Sequence, residues 1–187
     1  MNKAQIEMYF ESQLFQAWMP RDPAIMGMGY AILARKTMGG AIVGVSFLCD
    51  HYCLGVKDCL SFLQDEAWYN QFILNTQQHQ DLITVEPGYM KKYVLDLVAW
   101  SKELGFFPHS DYRFCSGILK GIPVDENAVF HFGKGEEGTP LFINGPSDTP
   151  HRINIITNTL KAYEARTGIK TEFILGGGGM GDFGAIE

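Results

Sequence analysis

Two short runs, Tyr30-Ala-Ile-Leu-Ala-Arg35 and Ala41-Ile-Val-Gly-Val-Ser-Phe-Leu48, stand on either side of Thr37-Met38-Gly39-Gly40. The second run is rich in Val, Ile and Phe, whose branched or flat side chains suit a pleated surface. The glycines supply positive φ at no steric cost, so the three pieces read as a β-hairpin. A second hairpin is expected at 128–132 and 141–144, joined by Gly133-Lys134-Gly135-Glu136-Glu137-Gly138. A periodic, helix-like stretch follows each hairpin, at about 56–75 and about 150–166. Each second strand also runs into a polar elbow that holds an aspartate, Asp50 in one and Asp148 in the other. This order implies an α+β fold. Its sheet is mainly antiparallel and built from two β-hairpin-plus-helix units, with helices packed on one face.

Outward from the hairpins, Ile6, Phe10, Leu14 and Trp18 recur every four residues and predict an N-terminal amphipathic helix over 4–18. Pro87 suits a first helical position, and Gly105 suits a C-terminal cap. Between them Tyr89, Tyr93, Val94, Leu97, Val98 and Leu104 form one apolar stripe. Ser110 is placed to cap a short helix running to about Leu119. Asp148 or Thr149 is placed to cap a last helix, which Gly168 ends, and 173–175 reads as a short strand. Residues 1–175 are expected to form a single α+β domain, followed by a glycine-rich tail, 176–187.

The chain has 187 residues, 46% of them hydrophobic and 19% charged, which excludes a disordered or collagenous chain. Fifteen basic against 21 acidic residues give a net charge of −6. The acidic residues are spread through caps and turns, and this balance disfavours a non-specific nucleic-acid binder. The longest apolar run, 41–49, is far short of the roughly 18 residues that span a bilayer. The N-terminus lacks the apolar stretch of a signal peptide. Four cysteines, at 49, 53, 59 and 115, make no disulfide framework, so the expected address is the cytoplasm and the expected role of the thiols is packing.

Three elbows concentrate the reactive side chains. The first, Cys49-Asp50-His51-Tyr52-Cys53-Leu54-Gly55-Val56-Lys57-Asp58-Cys59, holds metal-ligand types, acids and a lysine. A structural zinc needs a second ligand pair that is not visible. A Cys53 nucleophile needs a histidine, for which only His109 and His151 offer themselves. The second elbow, Gly105-Phe-Phe-Pro-His-Ser-Asp-Tyr-Arg113, carries His109 and Asp111 as a proton-moving pair and Arg113 as an anion clamp. The third, Asn144-Gly-Pro-Ser-Asp-Thr-Pro-His-Arg152, places His151 and Arg152 at a helix N-terminus suited to an anion, although Asp148 competes for the same amides. The run Gly176-Gly-Gly-Gly-Met-Gly181 lacks the Lys-Ser/Thr pair and following helix of a phosphate loop.

Together Cys53-Leu-Gly-Val-Lys-Asp58, Gly105-Phe-Phe-Pro-His-Ser-Asp-Tyr112 and Gly145-Pro-Ser-Asp148 resemble an uncharacterised bacterial protein family, over about residues 29–165. Some members of that family carry an SEC-C-type zinc-binding tail. The tail here has no cysteine or histidine, so the resemblance implies a bacterial cytosolic domain and no zinc role. Two functional classes remain. The favoured one is a cytosolic binding or adaptor domain with a protein partner, reached through the apolar tail residues Phe183 and Ile186 or exposed aromatics such as Tyr9, Tyr69 and Tyr89, and needing no cofactor. The alternative is a hydrolase acting on a phosphate or amide bond. Its site would gather Asp50, Lys57, Asp58, His109, Asp111 and Asp148, with Arg113, His151 and Arg152 binding anions. Asp50 and Asp148 would hold a divalent metal, and His109 would act as general base.

Overall fold

The 30–48 hairpin lies at the centre of a five-stranded antiparallel sheet in a computed structural model that describes residues 3–176. Strand β2 (Met28–Lys36) pairs with β3 (Ile42–Asp50) without a break from Met28–Asp50 to Lys36–Ile42. Strand β4 (Gly55–Gln64) lies outside β3. On the other side β1 (Gln13–Pro20) and β5 (Leu82–Thr84) complete the order β4-β3-β2-β1-β5. The α+β class and the antiparallel sheet agree with the sequence, and several of its parts differ.

The helix expected over 4–18 is short. Helix α1 covers Lys3–Glu7, and the remainder becomes β1, hydrogen-bonded to β2 on one side and β5 on the other. Of the four residues spaced by four, only Leu14 and Trp18 lie in β1, and there pairing with β2 and β5 overrides the helical spacing. A register shift between Leu14 and Gln16 leaves Phe15 as an extra residue. Phe15 and Trp18 pack with the cluster on one sheet face, Ala17 and Met19 with that on the other. Pairing with β3 likewise claims β4 from the helix expected at 56–75, of which only α3 (Glu66–Gln77) is helical.

The second hairpin does not form, and with it the second β-hairpin-plus-helix unit is lost. Residues 128–132 run as unpaired chain that lays Phe130 against Tyr89 and Tyr93, and Phe132 against Trp100. Strand β6 (Leu141–Ile143) instead pairs in parallel with β7 (Glu172–Ile174) across the crossover helix α6 (Pro150–Thr167). Thr149 caps α6 by accepting from Arg152 N at 3.2 Å.

Helices also cover both faces of the sheet rather than one. Helix α4 (Pro87–Leu104), ended by Gly105 as expected, packs through Met90, Tyr93, Val94 and Leu97 against Leu33, Val45 and Phe47. The short α5 (Tyr112–Cys115) and the 3-10 turn that follows it lie on that same side, and Ser110 caps neither. Helix α3 covers Ile32, Ala34, Ile42 and Phe62 on the opposite face through Tyr69 and Ile73. Two-sided cover explains why β2 and β3 read as near-continuous apolar runs. The docking role expected for Phe183 and Ile186 lies outside the described residues; Gly176 is held by the Asn144 side chain.

Candidate functional site

The β3–β4 connection is the junction of the molecule. Asp50 ends β3 with its carboxylate turned back on its own loop, where Oδ1 accepts the amides of Tyr52 at 3.1 Å and Cys53 at 3.0 Å. Burial pushes its pKa up to about 6, against the pull of Lys57 and of the loop amides. Gly55, at φ 71, closes the turn in a conformation that disfavours a side chain, and its Cα lies against Ser101 of α4. His51 donates its amide to Gly27 O at 2.7 Å and accepts from Gly133 N, while Tyr52 O accepts from Leu141 N at 2.9 Å. The Tyr52 hydroxyl donates to Ala24 O at 2.7 Å, in the single-turn helix α2 (Pro23–Met26).

These bonds bring the first and third elbows together. Between them is a cleft of about 180 Å³ lined by Met26, Met28, Asp50, Lys57, Ile143 and Asn144, among others. Of the residues proposed for catalysis, only Asp50 and Lys57 line it. Asp148 sits at the back of the third elbow, accepting from Gly145 N at 2.8 Å and pairing with Arg152 Nε at 3.1 Å. The Arg152 guanidinium expected to meet an anion is therefore already paired, and His151 is exposed on the first turn of α6.

The second elbow meets the first on a different side. His109 N donates to Val56 O at 2.9 Å, and His109 Nδ1 lies 3.8 Å from Asp58 Oδ1. Asp111 does not face His109 with its carboxylate. Lys3 holds that carboxylate below its ordinary range, and only the Asp111 amide reaches His109 Nδ1, at 3.3 Å. Arg113 is exposed. Lys57 and Asp58 are neighbours in sequence, yet they serve different surfaces because of a β-bulge. Leu48 stands opposite Asp58 and Cys49 opposite Val56, so Lys57 is the extra residue.

Among the described residues, no three His, Cys, Asp or Glu side chains are grouped to hold a metal ion, so Asp50 and Asp148 find no third protein ligand. All four cysteines are buried and free. Burial pushes the Cys49 thiol up to about 12 and the Cys53 thiol higher still, the reverse of an activated nucleophile.

Two features escaped the sequence reading. His51 is 2% exposed, with Nε2 2.9 Å from His131 O and its ring stacked on Tyr93, and burial lowers its pKa. A buried imidazole packed among aromatics is a structural support, and two of the three rings around it, Tyr93 and Phe132, come from remote segments. The second feature is the outer edge of β4. It is the last strand of the sheet, and among the described residues Cys59–Leu63 make no main-chain bond to a further element. The Cys59 amide is taken by Asp58 Oδ1 at 2.7 Å. By the two-residue alternation, Ser61 and Leu63 therefore present the open amides.

No protein-family model, curated protein or solved structure matches the chain. No helix of the described residues is long and apolar enough to cross a membrane.

Proposed function

We propose that the protein is a binding domain that takes an extended segment of a polypeptide partner as an added strand on the outer edge of β4. The observation that carries this reading is the open edge at Ser61 and Leu63. Natural sheets usually close such an edge with charge, proline or a covering element, because unpaired amides and carbonyls recruit further strands. Here the protection stops at residue 58. The bulged Lys57, the Asp58 carboxylate and His109 guard the first part of β4, and the next five residues carry no charge. Main-chain pairing supplies affinity in this mode of recognition, and side chains alternating along the strand supply selectivity. Leu60, 56% exposed, offers an apolar contact beside the edge. Four buried free thiols support a reducing compartment, hence the cytoplasm. The hydrolase alternative retains Asp50 and Lys57 in one cleft, but without His109, Asp111 or Asp148 lining it.

The test is selection of displayed random decapeptides on the folded protein, followed by affinity measurement on Ser61→Pro and Ser61→Thr variants. Peptides are expected to bind the wild type and the Thr variant alike and to lose at least tenfold with Pro, which removes the donor at an edge position that tolerates it. Amide exchange at Ser61 and Leu63 should slow in the complex. Failure to select any peptide, or binding indifferent to Ser61→Pro with no change in those two amides, refutes the reading.

A further inference from the structure

Helix α3 covers only half of its face of the sheet. Ile32, Ala34, Ile42 and Phe62 lie beneath it, but the same alternation carried along the strands brings Tyr30, Met28, Leu48 and Leu60 to that face where no helix covers them. Bare antiparallel faces normally turn polar side chains to water. This one turns Met28, Tyr30 and Leu60 outward at 38%, 41% and 56% exposure. Against the flank of α3 the surface folds into two cavities of about 530 and 220 Å³, which share Tyr30, Leu48 and Phe72 as walls. That volume lies in the range of small-molecule sites.

The cavities also hold two unmade hydrogen bonds. Ser46, 3% exposed, lines the smaller cavity, and Gln80, 8% exposed, lines the larger. Ser46 Oγ and Gln80 Nε2 are buried with no hydrogen-bond partner among the described residues. Gln80 is fixed in place, because its Oε1 accepts from Tyr30 N at 3.0 Å, which leaves Nε2 as a positioned donor. Buried polar atoms are nearly always paired, so two orphans on residues that wall contiguous cavities indicate a missing partner. No lysine or arginine lines either cavity, and Asp58 lines one, so the lining selects against an anion.

We propose that this half-covered sheet face binds a neutral, largely apolar small molecule carrying a carbonyl-type oxygen, which accepts from Ser46 Oγ or Gln80 Nε2 while its body lies on Tyr30, Leu48 and Phe72. This inference does not rest on strand addition at β4: the ligand lies on the sheet face and an added strand on its edge, with Leu60 bordering both. The probe is Nile red, a neutral aromatic with a carbonyl oxygen, titrated by fluorescence against the full-length protein. The anionic dye anilinonaphthalene sulfonate is run beside it. Saturable one-to-one binding of Nile red is expected, with the anionic dye weaker. Ser46→Ala removes only an unpartnered hydroxyl, so folding should persist while Nile red affinity falls about two- to tenfold, the worth of one hydrogen bond. Met28→Trp, at a half-exposed position, should block the larger cavity and abolish saturable binding. Ser61→Pro, which closes the edge, should leave Nile red binding unchanged. The proposal is overturned if the wild type shows no saturable Nile red binding or if the anionic dye binds more tightly. It is likewise overturned if binding ignores both Ser46→Ala and Met28→Trp, or if Ser61→Pro removes it.

Discussion

Replacing Asp50 with asparagine should change how stability depends on pH, in the direction opposite to the usual effect of a native carboxylate. The Asp50 side chain is 6% exposed, and its Oδ1 accepts two loop amides, a role an asparagine carbonyl can keep. Burial raises its pKa from the ordinary 3.8 to about 6. Between those values the folded chain holds the proton more tightly than the unfolded chain, so the stability contributed by Asp50 falls as pH rises and is fully lost above about 6. Two units correspond to about 3 kcal/mol in all, at 1.36 kcal/mol per unit. Integrated between pH 4.5 and 7, about 2 kcal/mol of this is lost by the wild type and not by Asp50→Asn. For a chain of this length that is about 4–8 °C in Tm. The assay is thermal unfolding of both proteins at half-unit steps from pH 4.5 to 7.5. The Tm of Asp50→Asn relative to wild type should rise by that amount across the range and level off above pH 6.5. Asp50→Ala, which deletes the acceptor for both amides, should be less stable than Asp50→Asn at every pH. A Tm difference between wild type and Asp50→Asn that stays constant, or shrinks as pH rises, would refute the assignment of a buried, proton-retaining carboxylate.

Arg35 is 6% exposed and bonds only to carbonyls, those of Ser12, Ile118 and Lys120, at 2.8–3.1 Å. Arg35→Ala should cost about 3 kcal/mol in urea unfolding, because two separate segments, at Ser12 and at Ile118 to Lys120, lose their common donor, and Arg35→Lys should recover only part of it. Gly55→Ala should cost about 2–4 kcal/mol, since the added methyl meets Ser101 and the backbone there has positive φ. Near-wild-type stability in that variant would mean that the turn can adopt another conformation. In Ellman titration of native protein, fewer than one of the four thiols should react in the first minutes, and all four should react in denaturant, since each is buried.

What could be read from the sequence follows from which signals are local. The α4 helix, with Pro87 at its start and Gly105 at its end, is fixed by residues that act within one turn, and it is found where expected. The same holds for the central hairpin and for the Thr149 cap of α6. β1 and β4 read as helices because each carries a bulge that breaks the strand alternation and leaves a spacing of about four, and only pairing with β2, β5 and β3 decides between the two. The missing second hairpin has a similar cause. Residues 128–132 have the composition of a strand, but Phe130 and Phe132 gain more by lying on Tyr93 and Trp100 than a two-stranded ribbon could return.

The candidate site divides along the same line. That polar residues gather at element ends is a local fact, and the first and third elbows do meet, through Tyr52 O and Leu141 N. Which side chain faces which surface is a matter of register, and one inserted residue resets it. The bulge at Lys57 turns that ammonium toward the Asp50 cleft and leaves Asp58 beside His109, so one apparent site becomes two surfaces. The half-covered face depends on register as well. Met28, Tyr30, Ser46, Leu48 and Leu60 share it only once three strands are aligned, and it stays open only because α3 shelters the Ile32 and Phe62 end and leaves theirs bare. A lone serine in the apolar run 41–49 therefore reads as an imperfection in sequence, whereas in the aligned sheet it is an unpaired hydroxyl facing an uncovered apolar surface.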